Sequence, residues 1–189
     1  MDRVQFWTLV EAARTVSGSD CQAQAGRLVA TLAQRSVDEV LAWDQIRREL
    51  LAESYRWELW GAAYLINGGC GDDGFDYFRG WLLSQGRAIW EAAVAGPDSL
   101  AAHPEIRSRR PLERWSDLLE CDDMLYIAYD AYQAMTGQEL TVEVLNRQPR
   151  PQRPELGEGW DFEDAAEMRP RYPRLWAVCG WEETPSAPP

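Results

Sequence analysis

Lysine is absent from the chain, histidine occurs once (His103), and all 19 basic residues are arginine. One histidine excludes every scheme that needs two, including the paired-histidine zinc sites. A nucleophilic triad would have to use His103 as its base, and no GxSxG turn accompanies it. No GxxxxGK[ST] and no strand-borne GxGxxG occurs, so nucleotide binding of the usual kinds has no support. The four cysteines (Cys21, Cys70, Cys121 and Cys179) form no CxxC pair. The apolar runs are too short to span a bilayer. The first residues, MDRVQFWTL, lack the basic head, apolar stretch and cleavage site of a secretory signal. These absences predict a cytoplasmic protein with reduced thiols, all four cysteines being buried structural residues.

What is present is acid and tryptophan. The 189 residues carry a net charge of −12, which repels phosphate backbones and makes nucleic acid an unfavoured partner. An arginine-only basic set fits a GC-rich genome. Its physical consequence is bidentate pairing with carboxylates and stacking on aromatic rings. Ten tryptophans within a 46% hydrophobic composition supply a core for one domain.

Helix punctuation organises the first 146 residues. Asp2 with Gln5 and Ser36 with Glu39 read as capping boxes, and Ser19 with Gln22 as a further cap. Phe6, Trp7, Leu9, Val10 and Ala13 follow helical spacing, as do Ala25, Leu28, Val29 and Leu32. A long helical pattern runs from about Val37 to Ile66, as one helix or as two broken near Ser54, and Asn67-Gly68-Gly69 stops it. The next helix is expected from Phe75 to about Ala95, ended by Gly96-Pro97. A short turn at Asp98-Ser99 is closed by Pro104, and an Arg-rich loop reaches Pro111. A helix is then expected from Leu112 to Met135, with an interruption at 120–123, ended by Thr136-Gly137. Leu140 to Leu145 fits a short strand, an extended segment or a last helical turn.

From Pro149 onward the composition changes, because eight of the 11 prolines lie there. Arg147 to Pro154 should be extended. Trp160, Phe162, Leu175, Trp176 and Trp181 should dock this arm on the helices, leaving only the last few residues free. The expected fold is therefore mainly α: a single helical domain of about six helices over 1–146, with a Pro/Arg-rich C-terminal arm over 147–189 packed against it.

Several of these segments resemble one family. NGGCGDDGFDYFRGWLLSQG (Asn67 to Gly86) is the most distinctive, with FDYFRGWL its most specific piece. FWTLVEAAR (Phe6 to Arg14), AGPDSLAAH (Ala95 to His103), CDDMLYIAYDAYQAMTG (Cys121 to Gly137) and GEGWDFED (Gly157 to Asp164) fit the same pattern. Together they resemble the bacterial domain of unknown function 4240. The resemblance implies a small, mostly helical, soluble domain and assigns no catalytic or binding residue.

The candidate site must then come from the residues themselves. Asp72, Asp73, Asp76 and Arg79 gather at a helix start. They suit a carboxylate site for a metal or acid–base chemistry, with Arg79 holding an anion. They equally suit capping, with Asp76 and Arg79 paired at i, i+3, and this reading is preferred. Trp81 and Gln85 complete the binding candidates. Gln85 lies on the apolar stripe of Phe75, Phe78, Leu82 and Ile89, so its amide needs a partner, preferably a loop backbone group. Gly80 and Gly86 predict a close approach, preferably of another helix. Cys121-Asp122-Asp123 echoes Cys70, Asp72 and Asp73; two thiols and four carboxylates would suit zinc if the loops met. The preferred reading is two capped helix starts, no metal and no cofactor. His103 is expected at the surface or in a loop. Trp7, Trp43, Trp57, Trp60, Trp81 and Trp90 are expected mostly in the core, some of them lining a groove with Arg107, Arg109 and Arg110.

Function is accordingly read as a non-catalytic interaction or regulatory domain that meets another protein or a small molecule. The alternative is a small enzyme or metal-binding protein using Asp72, Asp73, Asp76 and Arg79.

Overall fold

The computed structural model describes residues 1–108, 118–145 and 147–180. Among the described residues the regular structure is entirely helical. The capping boxes act as the sequence predicts. In α1 (Arg3–Ser17) the Gln5 amide donates to the Asp2 carboxylate at 2.8 Å and the Asp2 amide donates back to Gln5 Oε1 at 2.9 Å. The Ser36/Glu39 box opens α3 (Val37–Glu53). Between them α2 (Cys21–Leu32) is capped by Asp20, one residue later than the expected Ser19. The long pattern is two helices. At the end of α3 the Ser54 hydroxyl bonds back to the Leu50 carbonyl at 2.9 Å, and α4 (Trp57–Asn67) follows. Gly68, left-handed at φ 67°, stops α4.

The expected helix from Phe75 to Ala95 is also two helices, α5 (Asp72–Ser84) and α6 (Arg87–Ala95). They are separated by Gly86 at φ 91°, a backbone angle that L side chains avoid. A 3-10 turn (Pro97–Ala102) leads into the short α7 (Pro104–Arg107), where a loop was expected. The interruption before the next helix is real. Residues 118–122 are irregular, and α8 (Asp123–Thr136) ends on left-handed Gly137. Leu140 to Leu145 closes with one helical turn, α9 (Val142–Leu145), so the strand alternative is excluded there. Among the described residues, seven helices of nine or more residues, joined by shorter ones, stand where about six were expected.

The core lies between α1, α2, α3, α5 and α8, with α2 against α1 and α8 its most extensive packing. Phe6, Leu28, Leu32, Trp43, Leu50, Phe75, Phe78, Leu82 and Ile127 are buried there. Each contributes about 1.5–3 kcal/mol by leaving water. Phe6 and Trp43 meet at 4.1 Å between ring centroids. Trp7, Trp81 and Trp90 are also buried, while Trp57 and Trp60 stay half-buried. Asp44 is fully buried, held by Arg47 at 2.6 Å and Arg48 at 2.8 Å. Two guanidiniums offset the desolvation of that carboxylate.

The arm docks through groups the sequence singled out, and beyond the Arg147 to Pro154 stretch it adds helices. Residues 147–164 are irregular and lead into α10 (Ala165–Arg171) and α11 (Pro173–Cys179). Phe162 packs edge-on against Trp57 at 5.6 Å. Leu175 is fully buried, and the Tyr172 hydroxyl donates to the Glu58 carbonyl at 2.7 Å. The backbone amides of Arg174 and Leu175, in the first turn of α11, donate to the Asp98 carboxylate at 3.0 and 2.8 Å. A residue 76 positions away thus caps this helix. Arginine behaves as its chemistry predicts: Arg171 lies 4.3 Å from the Trp160 ring centroid and Arg153 4.8 Å from that of Tyr55. Arg109, Arg110, Trp181, the start of the helix expected at Leu112 and the free chain end lie outside the described residues.

Candidate functional site

Helix α5 carries five of the six candidate residues and Gln85 caps its end, and its geometry divides them. Asp72 and Asp73 occupy its exposed first turn. Neither makes a side-chain capping bond; the N-cap is Gly71. Their carboxylates instead complement the free amides and positive end of the helix. One turn on, Asp76 is half-exposed and pairs with buried Arg79. Arg79 also donates to the Leu51 carbonyl and lies 5.0 Å from the Tyr55 ring centroid and 4.8 Å from that of Phe75. This guanidinium joins α5 to the end of α3.

The far end of α5 holds a second polar group. Gln85 is buried, and its amide nitrogen donates to the Ser84 hydroxyl at 2.9 Å and the Trp81 carbonyl at 3.3 Å. Its oxygen faces His103 Nε2 at 3.1 Å. That oxygen can only accept, so Nε2 carries the imidazole proton. The partner expected for Gln85 was a loop backbone group; the histidine takes that place. His103 sits between the 3-10 turn and α7, as the loop alternative expected, but at 6% exposure it is not at the surface. Burial pushes its pKa down, Glu105 opposes and Arg14 adds to the fall. Trp81 lies edge-on to His103 and donates Nε1 to Glu105 at 3.3 Å. Asp72, Asp73, the Asp76–Arg79 pair and the Trp81–Gln85–His103 group therefore follow one another along the helix and do not converge.

The two echoing loops do meet, as the zinc alternative required. The Leu119 amide donates to Asn67 Oδ1 at 3.0 Å and the Cys121 amide to the Tyr77 carbonyl at 2.9 Å. Gly80 permits this, because a Cβ there would collide with the Cys121 carbonyl oxygen. At Gly80 the predicted close approach is thus by a loop and not by a helix, whereas at Gly86 it is by Glu11 of α1, as expected. The thiols are not free to gather on a metal, however. Cys121 is joined to Cys21 in a disulfide across a Cα separation of 6.3 Å, which corrects the reduced-thiol expectation for these two. Burial, with Glu120 adding to it, pushes the Cys70 thiol up to about 12. Cys70 and Cys179 are only half-buried, so burial of all four cysteines is also corrected. No group of three potential metal ligands occurs among the described residues.

The meeting of these loops builds a surface that the sequence reading missed. Tyr77 of α5 lies near Tyr126 of α8 and near Asp73, Glu120 and Asp122, and Tyr129 stands one helical turn along α8 from Tyr126. Tyr126 is 49% exposed, and its ring stands edge-on to Tyr129 at 6.3 Å. Asp73 most strongly, then burial, Tyr126, Asp122 and Glu120 push the Tyr77 phenol up. Burial and Asp122 raise the Glu120 carboxyl; burial, Asp122 and Asp130 raise that of Asp123. Tyr126 and Tyr129 fall on helical spacing, so only contact between distant segments distinguishes this face from a core stripe.

The family model for the protein of unknown function DUF4240 matches residues 1–134. The chain belongs to the DUF4240 family. The tyrosine face lies wholly within that DUF4240 match, whereas the arm from residue 147 lies beyond it. No curated protein and no solved structure matches the chain. None of the helices in the described residues is long and apolar enough to cross a membrane.

Proposed function

We propose that this DUF4240 protein is a non-catalytic, cytoplasmic interaction domain, regulatory or accessory in role, that docks a protein partner. In this reading the helical region 1–146 presents the docking face and the arm 147–189 braces it. The observation that supports it is the outward face of α8. Met124, Ile127, Ala128 and Ala131 are spent on the core, while Tyr126 faces solvent beside Tyr129 and Tyr77. Tyrosine gives large contact area at small conformational cost, and such exposed aromatics are favoured where proteins meet. By contrast, Asp76, Arg79, Gln85 and His103 bond mainly to one another and to the backbone. A cytoplasmic setting requires that the Cys21–Cys121 bond resist reductant, and burial of Cys121 restricts access to it.

A photoreactive phenylalanine analogue at position 126, introduced in cells, tests the reading. We expect one covalent partner captured from 126 and none from the same analogue at exposed Val16 on α1. Equal labelling from both positions would count against a docking face. The alternative enzyme or metal reading predicts something different: one metal per purified chain, lost in Asp73→Ala. Finding it would replace the present proposal.

A further inference from the structure

We infer that the face of Tyr77, Tyr126 and Tyr129, bordered by Asp73, Glu120 and Asp122, docks an arginine- and lysine-rich segment of a protein partner. The inference rests on the interaction-domain reading and names the chemistry of the occupant.

Charge complementarity carries it. The groups raising the phenol of Tyr77 and the carboxyls of Glu120 and Asp123 are burial and neighbouring acids, with no cation among the described residues beside them. These carboxylates repel one another across a solvent-facing aromatic surface. A cationic side chain placed there would relieve the repulsion and stack on a tyrosine ring in the same step. The chain shows how such a pair is satisfied elsewhere. Arg79 lies over Tyr55 and Phe75 while pairing with Asp76. The α5/α8 face offers the same tyrosine and carboxylate components, with no guanidinium over them among the described residues.

The face is also preorganised. Its two halves are tied by the Cys121 amide on the Tyr77 carbonyl and by the close fit of Gly80 under Cys121, and the disulfide anchors Cys121 to α2. Little conformational freedom would be lost on binding, which favours affinity. An arginine- or lysine-rich segment fits better than an apolar one because the rim is formed by carboxylates.

The test is fluorescence anisotropy of the full chain with a labelled Arg/Lys-rich peptide, beside an acidic and a Gly/Ser peptide of equal length. We expect binding of the basic peptide alone, weakened by salt. Asp73→Asn/Asp122→Asn should weaken it about tenfold and Tyr126→Ala by about as much, since each carboxylate and the ring supply separate contacts. The charge-matched pair Asp38→Asn/Glu158→Gln, on other elements, should change nothing. Melting curves check that each variant folds. Equal weakening by both charge pairs would show diffuse attraction to an acidic protein and overturn the inference, as would no binding at all. Crosslinking from position 126 separates the two readings. A partner still captured by the Asp73→Asn/Asp122→Asn chain sinks the basic-segment inference and leaves the interaction domain standing. No partner from 126 sinks both.

Discussion

Two glycines show how one substitution takes opposite signs in this fold. Gly26 lies on the exposed side of α2 with open space where a Cβ would stand. Gly26→Ala should stabilise the protein by about 1 kcal/mol through helix propensity alone. Gly80 gains the same propensity term, but its Cβ would strike the Cys121 carbonyl, a backbone atom that cannot swing aside. Overpacking of this kind costs about 1–3 kcal/mol or more, so Gly80→Ala should lower stability in urea titration. His103 sets a pH dependence. Its folded pKa is depressed by burial below the ordinary 6.5, so the unfolded chain takes up a proton first as pH falls. Stability contributed by neutral His103 is full above that ordinary value and is lost on acidification towards the folded pKa. The raised carboxyls of Glu120 and Asp123 have the opposite sign, favouring the protonated form in the folded chain. His103→Gln keeps those terms, so its melting temperature should fall less than wild type's between about pH 7 and about pH 5. An equal fall in both would refute the assignment.

At the scale of elements, the helix starts at Asp2 and Ser36 were legible because both halves of each capping box lie three residues apart. The α5/α6 break was not, because Gly86 within a continuous apolar pattern reads as a tolerated helical glycine until its φ is known. The cap of α11 was also hidden, since Asp98 reaches it from the 3-10 turn. Pairing of Cys21 with Cys121 joins α2 to the irregular stretch before α8 over a separation of 100 residues. Opening a cross-link of that reach costs about 2–4 kcal/mol. Strong reductant should therefore lower the melting temperature of the wild type. Cys21→Ser should start from the lower value and show no further response; a wild type indifferent to reductant would argue that the bond contributes nothing.

For the whole molecule the question is whether the arm is part of the folding unit. Leu175 is fully buried and Tyr172 is 2% exposed, so the body's interior extends into a segment beyond the DUF4240 match. Removing a buried leucine side chain costs about 2–5 kcal/mol. Leu175→Ala should lower the single melting transition by that amount and expose the irregular 147–164 stretch to protease. A two-step melt, with the second step at the wild-type temperature, would mean the arm folds apart from the helices.

Local pattern by itself determined the helical class, the main caps and the docking of the arm, because apolar spacing and polar stop signals act over three or four residues. It also predicted the Asp76–Arg79 pair, which is one helical turn long. Only the tertiary structure decided what stands next to what: the histidine on Gln85, the sulfur on Cys121, the carboxylate on α11 and the three tyrosines on one face. Each joins segments distant in sequence, and contacts at that range depend on how the helices pack and not on the residues flanking them.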